Sequence, residues 1–98
     1  MAPTPTSWAT TVLLIDANDS ERTFYAEGLQ RCSSDYLVLE ANHGQLGLNL
    51  YRESQPRIDC VVLDLALPDR SGFGLIMDLI PLPSKPKLSV VVLTKCSR

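Results

Sequence analysis

Ninety-eight residues, 45% of them hydrophobic and 20% charged, make enough chain for one small globular domain and no more. A formal charge of -2, a sequence pI near 5.2 and nine Lys and Arg scattered singly argue against the basic footprint of a nucleic-acid binder. No apolar run approaches the roughly 18 residues of a membrane span, and the start of the chain has neither the basic nor the long apolar region of a secretory signal.

A cytoplasmic protein with no membrane segment is therefore the expectation. Cys32, Cys60 and Cys96 are odd in number and widely spaced, with no CxxC pair or Cys/His cluster to suggest zinc. They read as thiols in a reducing compartment, with Cys60 expected to be a small buried core residue.

In chain order, residues 1–10 carry two prolines and several threonines without periodicity and read as a flexible lead-in containing Trp8. The domain is expected to begin at Thr11. Residues 11–15, TVLLI, form a short apolar run that ends in a carboxylate, Asp16. Asn18, Asp19 and Ser20 supply side chains suited to capping a helix N-terminus. Residues 21–32 then place Phe24, Tyr25, Leu29 and Cys32 at helical spacing, although Gly28 weakens the helix.

Residues 36–41, YLVLEA, read as a strand on their β-branched and aromatic content. After the turn Asn42-His43-Gly44, residues 45–54 carry Leu46, Leu48, Leu50 and Tyr51 on a helix that Pro56 closes. His43, in a turn away from either acid, reads as a surface residue rather than a phosphate carrier.

Residues 58–72, IDCVVLDLALPDRSG, organise the rest. A nearly continuous apolar run rich in β-branched residues reads as a strand buried on both faces of a parallel sheet. It delivers Asp64 to the carboxyl end, where ligands gather in open α/β sheets. Phe73, Leu75, Ile76, Leu79 and Ile80 form the next helical face, cut short by Pro81, Pro83 and Pro86. Residues 88–93, LSVVVL, read as a last buried strand ending at Thr94 and Lys95. The alternation βαβαβαβ implies a parallel sheet with crossover helices. No glycine-rich strand-to-helix turn follows Ile15, which disfavours an unrelated nucleotide-binding α/β protein.

Two strands thus end in carboxylates, Asp16 and Asp64. If those strands are neighbours the acids meet, and paired carboxylates repel unless a cation or proton is shared. An oxygen-rich site of this sort suits Mg²⁺, and a carboxylate beside such an ion is suited to accept a phosphoryl group.

VLLID, then VVLDLALPDRSGFGL, then VVVLT, in this order and spacing, closely resembles the receiver domain of two-component response regulators. The resemblance implies a flavodoxin-like, doubly wound parallel sheet. It also implies Mg²⁺-dependent transfer of a phosphoryl group from a histidine kinase or phosphotransfer protein to an acceptor aspartate, as in bacterial two-component signalling. On this chain Asp64 matches the phosphoacceptor, Asp16 the first member of the acidic pair, and Thr94 the switch hydroxyl. The backbone carbonyl of Ala66 matches a metal ligand.

Two departures stand out. Ala17 occupies the place of a second acid that is commonly a direct metal ligand, which leaves Asp19 as a further candidate. The family also continues with a helix, a fifth strand ending in a lysine, and a final helix, none of which these 98 residues contain. The expected fold is therefore incomplete, a truncated receiver over residues 11–98. Its apolar edge at residues 88–93 invites self-association. Two readings follow: a signalling phosphoacceptor domain rather than a metabolic enzyme, or a degenerate receiver serving as a phosphorylation-independent interaction or dimerisation module.

Overall fold

The computed structural model describes residues 10–53, 58–79 and 89–93. They run β1 (Thr10–Ile15), α1 (Asp19–Cys32), β2 (Tyr36–Ala41), α2 (Gly44–Glu53), β3 (Cys60–Asp64), α3 (Gly72–Leu79) and β4 (Ser89–Leu93). This is the α/β alternation that the sequence predicts. β1 takes in Thr10, the last residue of the expected lead-in. Trp8, Thr94, Lys95 and the three prolines after α3 lie outside the described residues.

The strands form one parallel sheet in the order β2-β1-β3-β4. The chain steps outward from β1 to β2, then returns past β1 to β3 and β4, so the winding reverses between β1 and β3. A crevice opens at such a switch point, at the carboxyl ends of the strands.

Side chains on a strand alternate between the two faces. Leu13 and Ile15 of β1, with Val61 and Leu63 of β3, join Leu48 of α2 and Leu75 and Leu79 of α3 in one buried core. The opposite face, bearing Val12 and Leu14, is covered among the described residues by α1 alone. Asn18 starts that helix by accepting the Glu21 N–H at 2.9 Å, and Ala26 is its one buried residue.

An apolar groove of about 320 Å³ runs beside α1, lined by Phe24, Tyr25, Leu29, Cys32, Val62 and Leu93 among others. Three expectations change. β3 is buried on its core face, but Cys60 and Val62 are only half-buried. Partial burial still pushes the Cys60 thiol above its ordinary pKa. β4 is not a buried strand among the described residues, since Val91 is 47% exposed and Val92 38%. Phe24 and Phe73, each placed by periodicity on an apolar helix face, are exposed.

The loop from Asp64 to α3 is held at both ends. A Cβ on Gly72 would lie 2.7 Å from the Leu65 Cα and 2.9 Å from its carbonyl oxygen, so only glycine lets the first turn of α3 sit against the backbone leaving β3. In the same loop, Asp69 reaches α2. It accepts the Gly44 N–H at 2.7 Å and the Gln45 N–H at 2.8 Å, serving as a tertiary cap for a helix whose own turn supplies no such carboxylate. His43 Nδ1 accepts from the Leu46 N–H at 3.2 Å and lies 3.4 Å from Asp69.

Two outcomes follow. Gly72→Ala forces backbone apart and should destabilise the domain by about 1–3 kcal/mol, the usual cost of overpacking; urea unfolding measures it. The Asp69 carboxyl lies below its ordinary value of 3.8, chiefly because it accepts the Gly44 N–H. A carboxyl with a depressed folded pKa contributes stability above its unfolded pKa and loses it as pH falls through the folded value. Asp69→Ala should therefore lower the unfolding midpoint at neutral pH. The gap from wild type should close as pH drops below about 4, read from denaturant curves across pH.

Candidate functional site

The register of β1 on β3 pairs Ile15 with Leu63. The next residue on each strand is an acid, so Asp16 and Asp64 stand level at the switch point. Both are buried, at 1% and 4% exposure. Parallel pairing is what brings them together, since both strands deliver their carboxyl ends to the same edge.

Backbone amides hold each carboxylate in orientation. Asp16 Oδ1 accepts the Asn18 N–H at 2.9 Å, and Asp64 Oδ1 accepts the Ala66 N–H at 3.0 Å. Each acid thus bends the chain just beyond its own strand in an Asx-type turn. Arg22, one turn into α1, braces the same edge. Its guanidinium donates to the Asp16 carbonyl at 2.9 Å and to Glu40 at the end of β2 at 3.1 Å, and it pairs with Asp19 at 2.8 Å. The hydrogen bond to Asp19 is the main reason its pKa lies above the ordinary arginine value.

A third carboxylate joins the pair. One oxygen from each of Asp16, Glu21 and Asp64 lies within 4.8 Å of the others. Asp16 Oδ2 and Glu21 Oε1 are both shielded from solvent. At such separations two carboxylates repel by on the order of 3 kcal/mol at an effective dielectric of about 20. A cation or a shared proton relieves that repulsion, and an all-oxygen donor set is the chemistry that Mg²⁺ or Ca²⁺ prefers.

The positions singled out in the sequence fall as follows. Asp16 and Asp64 are together. Ala66 is two residues on, its N–H engaged by Asp64. Asp19 has its carboxylate on Arg22 with the side chain 81% exposed, outside the group of three. β4 ends at Leu93, level with Asp64; Thr94 comes next and lies outside the described residues. Ala17 is exposed beside Asp16. Glu21 was legible only as an acidic residue in a helix's first turn. Its place three residues after the Asn18 cap reads locally as half of a capping box.

Comparison with known proteins gives the same direction. Residues 12–98 match the family model described as the response regulator receiver domain. A two-component response regulator of Arabidopsis thaliana is 36% identical over 74 residues, 69% of this chain and 13% of that protein. The chain thus spans a small fraction of that curated relative's length. Among solved structures, the non-phosphorylated HemR receiver domain from Leptospira biflexa is 30% identical with a TM-score of 0.72, covering 87% of this chain and 64% of that one. A response regulator protein from Burkholderia pseudomallei, solved with a phosphorylated aspartic acid, a calcium ion and citrate, is 28% identical with a TM-score of 0.74. The match covers 90% of this chain and 48% of that one. With a doubly wound sheet, paired strand-end acids and a family match over most of its length, the chain belongs to the response regulator receiver domain family.

Proposed function

We propose that this chain is a phosphoacceptor module of two-component signalling, in which Asp64 takes a phosphoryl group from the phosphohistidine of a histidine kinase or phosphotransfer protein. The observation that carries this reading is the position of Asp64, a buried carboxylate at the end of β3 and level with Asp16 at the switch point. The phosphorylated aspartic acid of the Burkholderia pseudomallei relative supports it.

Asp16, Asp64 and the backbone carbonyl of Ala66 would hold Mg²⁺, and the clustered carboxylate oxygens fit such an ion. Bound there, Mg²⁺ offsets negative charge on the transferring phosphoryl oxygens. An Asp64 oxygen attacks phosphorus, and the phosphorus–nitrogen bond to the donor imidazole breaks. The electron pair stays with that imidazole, leaving an acyl phosphate on the aspartate. The Ala66 N–H on Oδ1 fixes the rotation of the carboxylate, so the attacking group is presented in one orientation. Water later cleaves the phosphorus–oxygen bond and returns the carboxylate and inorganic phosphate. We assign Thr94 the hydroxyl that turns toward the phosphoryl group, and the cytoplasm as the compartment that keeps the three thiols reduced.

A second reading, a phosphorylation-independent interaction or dimerisation module, draws on the exposed apolar side chains of β4, Val91 and Val92. The two readings diverge in one experiment. Incubated with a small acyl-phosphate donor and Mg²⁺, the wild-type chain should gain one phosphoryl group by intact mass, and Asp64→Asn should gain none. An unmodified wild type would overturn the phosphoacceptor reading and leave the interaction module. Self-association through β4 is checked separately by sedimentation: Val91→Lys should shift any dimer toward monomer, because a charge on an edge strand blocks pairing.

A further inference from the structure

Glu21 is not where a helix-start glutamate ordinarily belongs. The pattern Asn18-x-x-Glu21 is that of a capping box, in which the glutamate turns back to accept the N–H of the cap residue. Here the forward half exists, Asn18 Oδ1 accepting from the Glu21 N–H at 2.9 Å. The reciprocal donor goes elsewhere, for the Asn18 N–H binds Asp16 Oδ1 at 2.9 Å. The Glu21 carboxylate instead turns toward the strand ends: its Oε1 is shielded from water, and one of its oxygens lies within 4.8 Å of oxygens from both Asp16 and Asp64. Shielding a carboxylate oxygen beside two other acids costs desolvation as well as repulsion.

The alternatives on the same turn are accounted for. Asp19 points outward to Arg22, and Ala17 offers only a methyl group beside Asp16. We propose that Glu21 is a direct ligand of the divalent cation held by Asp16 and Asp64, so that a helix side chain supplies the carboxylate missing at Ala17. This rests on the metal-dependent reading of the site given above. It makes the centre one of three carboxylates, from β1, α1 and β3, rather than two neighbours on one turn plus the acceptor.

The test uses the full chain and Mn²⁺, with Mg²⁺ in competition. Electron paramagnetic resonance gives affinity, and water-proton relaxation counts the waters left on the bound ion. Glu21→Ala should weaken Mn²⁺ binding about tenfold or more and add one coordinated water, while Asp19→Asn should stay within about twofold. Ala17→Asp placed in the Glu21→Ala background should recover most of the affinity and remove the extra water. Circular dichroism establishes that each variant folds.

Wild-type affinity and an unchanged water count in Glu21→Ala would overturn the assignment while leaving the metal-dependent reading intact. Weakened binding with an unchanged water count would also overturn it, because it would make Glu21 a nearby charge and not a ligand. A wild type that binds neither ion would overturn both this assignment and the metal-dependent reading beneath it.

Discussion

Two carboxylates buried at the level ends of neighbouring parallel strands are the constraint on which the rest of the domain depends. Charge so nearly withdrawn from water is costly unless the surroundings meet it. The surroundings here are specific. Each acid has a backbone N–H from two residues downstream, and Arg22 fastens the carbonyl of Asp16 and the end of β2 to the first turn of α1. An antiparallel pairing of the same two strands would have put the acids at opposite edges. Parallel order and reversed winding are thus conditions for having a site at all.

The loop beyond Asp64 is the second fixed part. Gly72 permits α3 to begin against the backbone of Leu65, and Asp69 caps α2 across the gap. Between them the segment following the acceptor is tied to both helices that cover the main core. Movement of the chain beside Asp64 therefore has a short mechanical path to α2, through one loop and two hydrogen bonds.

Much of this was legible in the sequence, and the reasons for the remainder are physical. Asp16 and Asp64 end apolar runs, and that pattern marks strand ends whatever the tertiary arrangement. Helical spacing names the residues that share a face, yet not whether another element covers it. Phe24 and Phe73 were placed correctly on their helices and still lie exposed. Val62, Val91 and Val92 belong to runs that look wholly buried, because β-branched content reports strand rather than depth. The cap that Asp69 gives to α2 spans 25 residues of sequence, and no local pattern could announce it. Glu21 was hidden for the opposite reason: a first-turn acid is so well explained by the helix dipole that nothing about it asks for a second role.

The groove beside α1 bears on more than packing. Elements with few buried apolar contacts open locally at lower free energy than the core to which they belong, and α1 buries only Ala26 fully. The same helix carries Glu21 and Arg22, which complete and brace the acidic centre. Any opening of α1 would therefore carry Glu21 and Arg22 away from the strand ends. A cation that engages Glu21 as well as Asp16 and Asp64 favours the docked helix by its differential affinity for that state, about 1.4 kcal/mol for a tenfold difference. The ion would then act as a clasp between α1 and the strand ends, and its concentration would set how firmly that layer is shut.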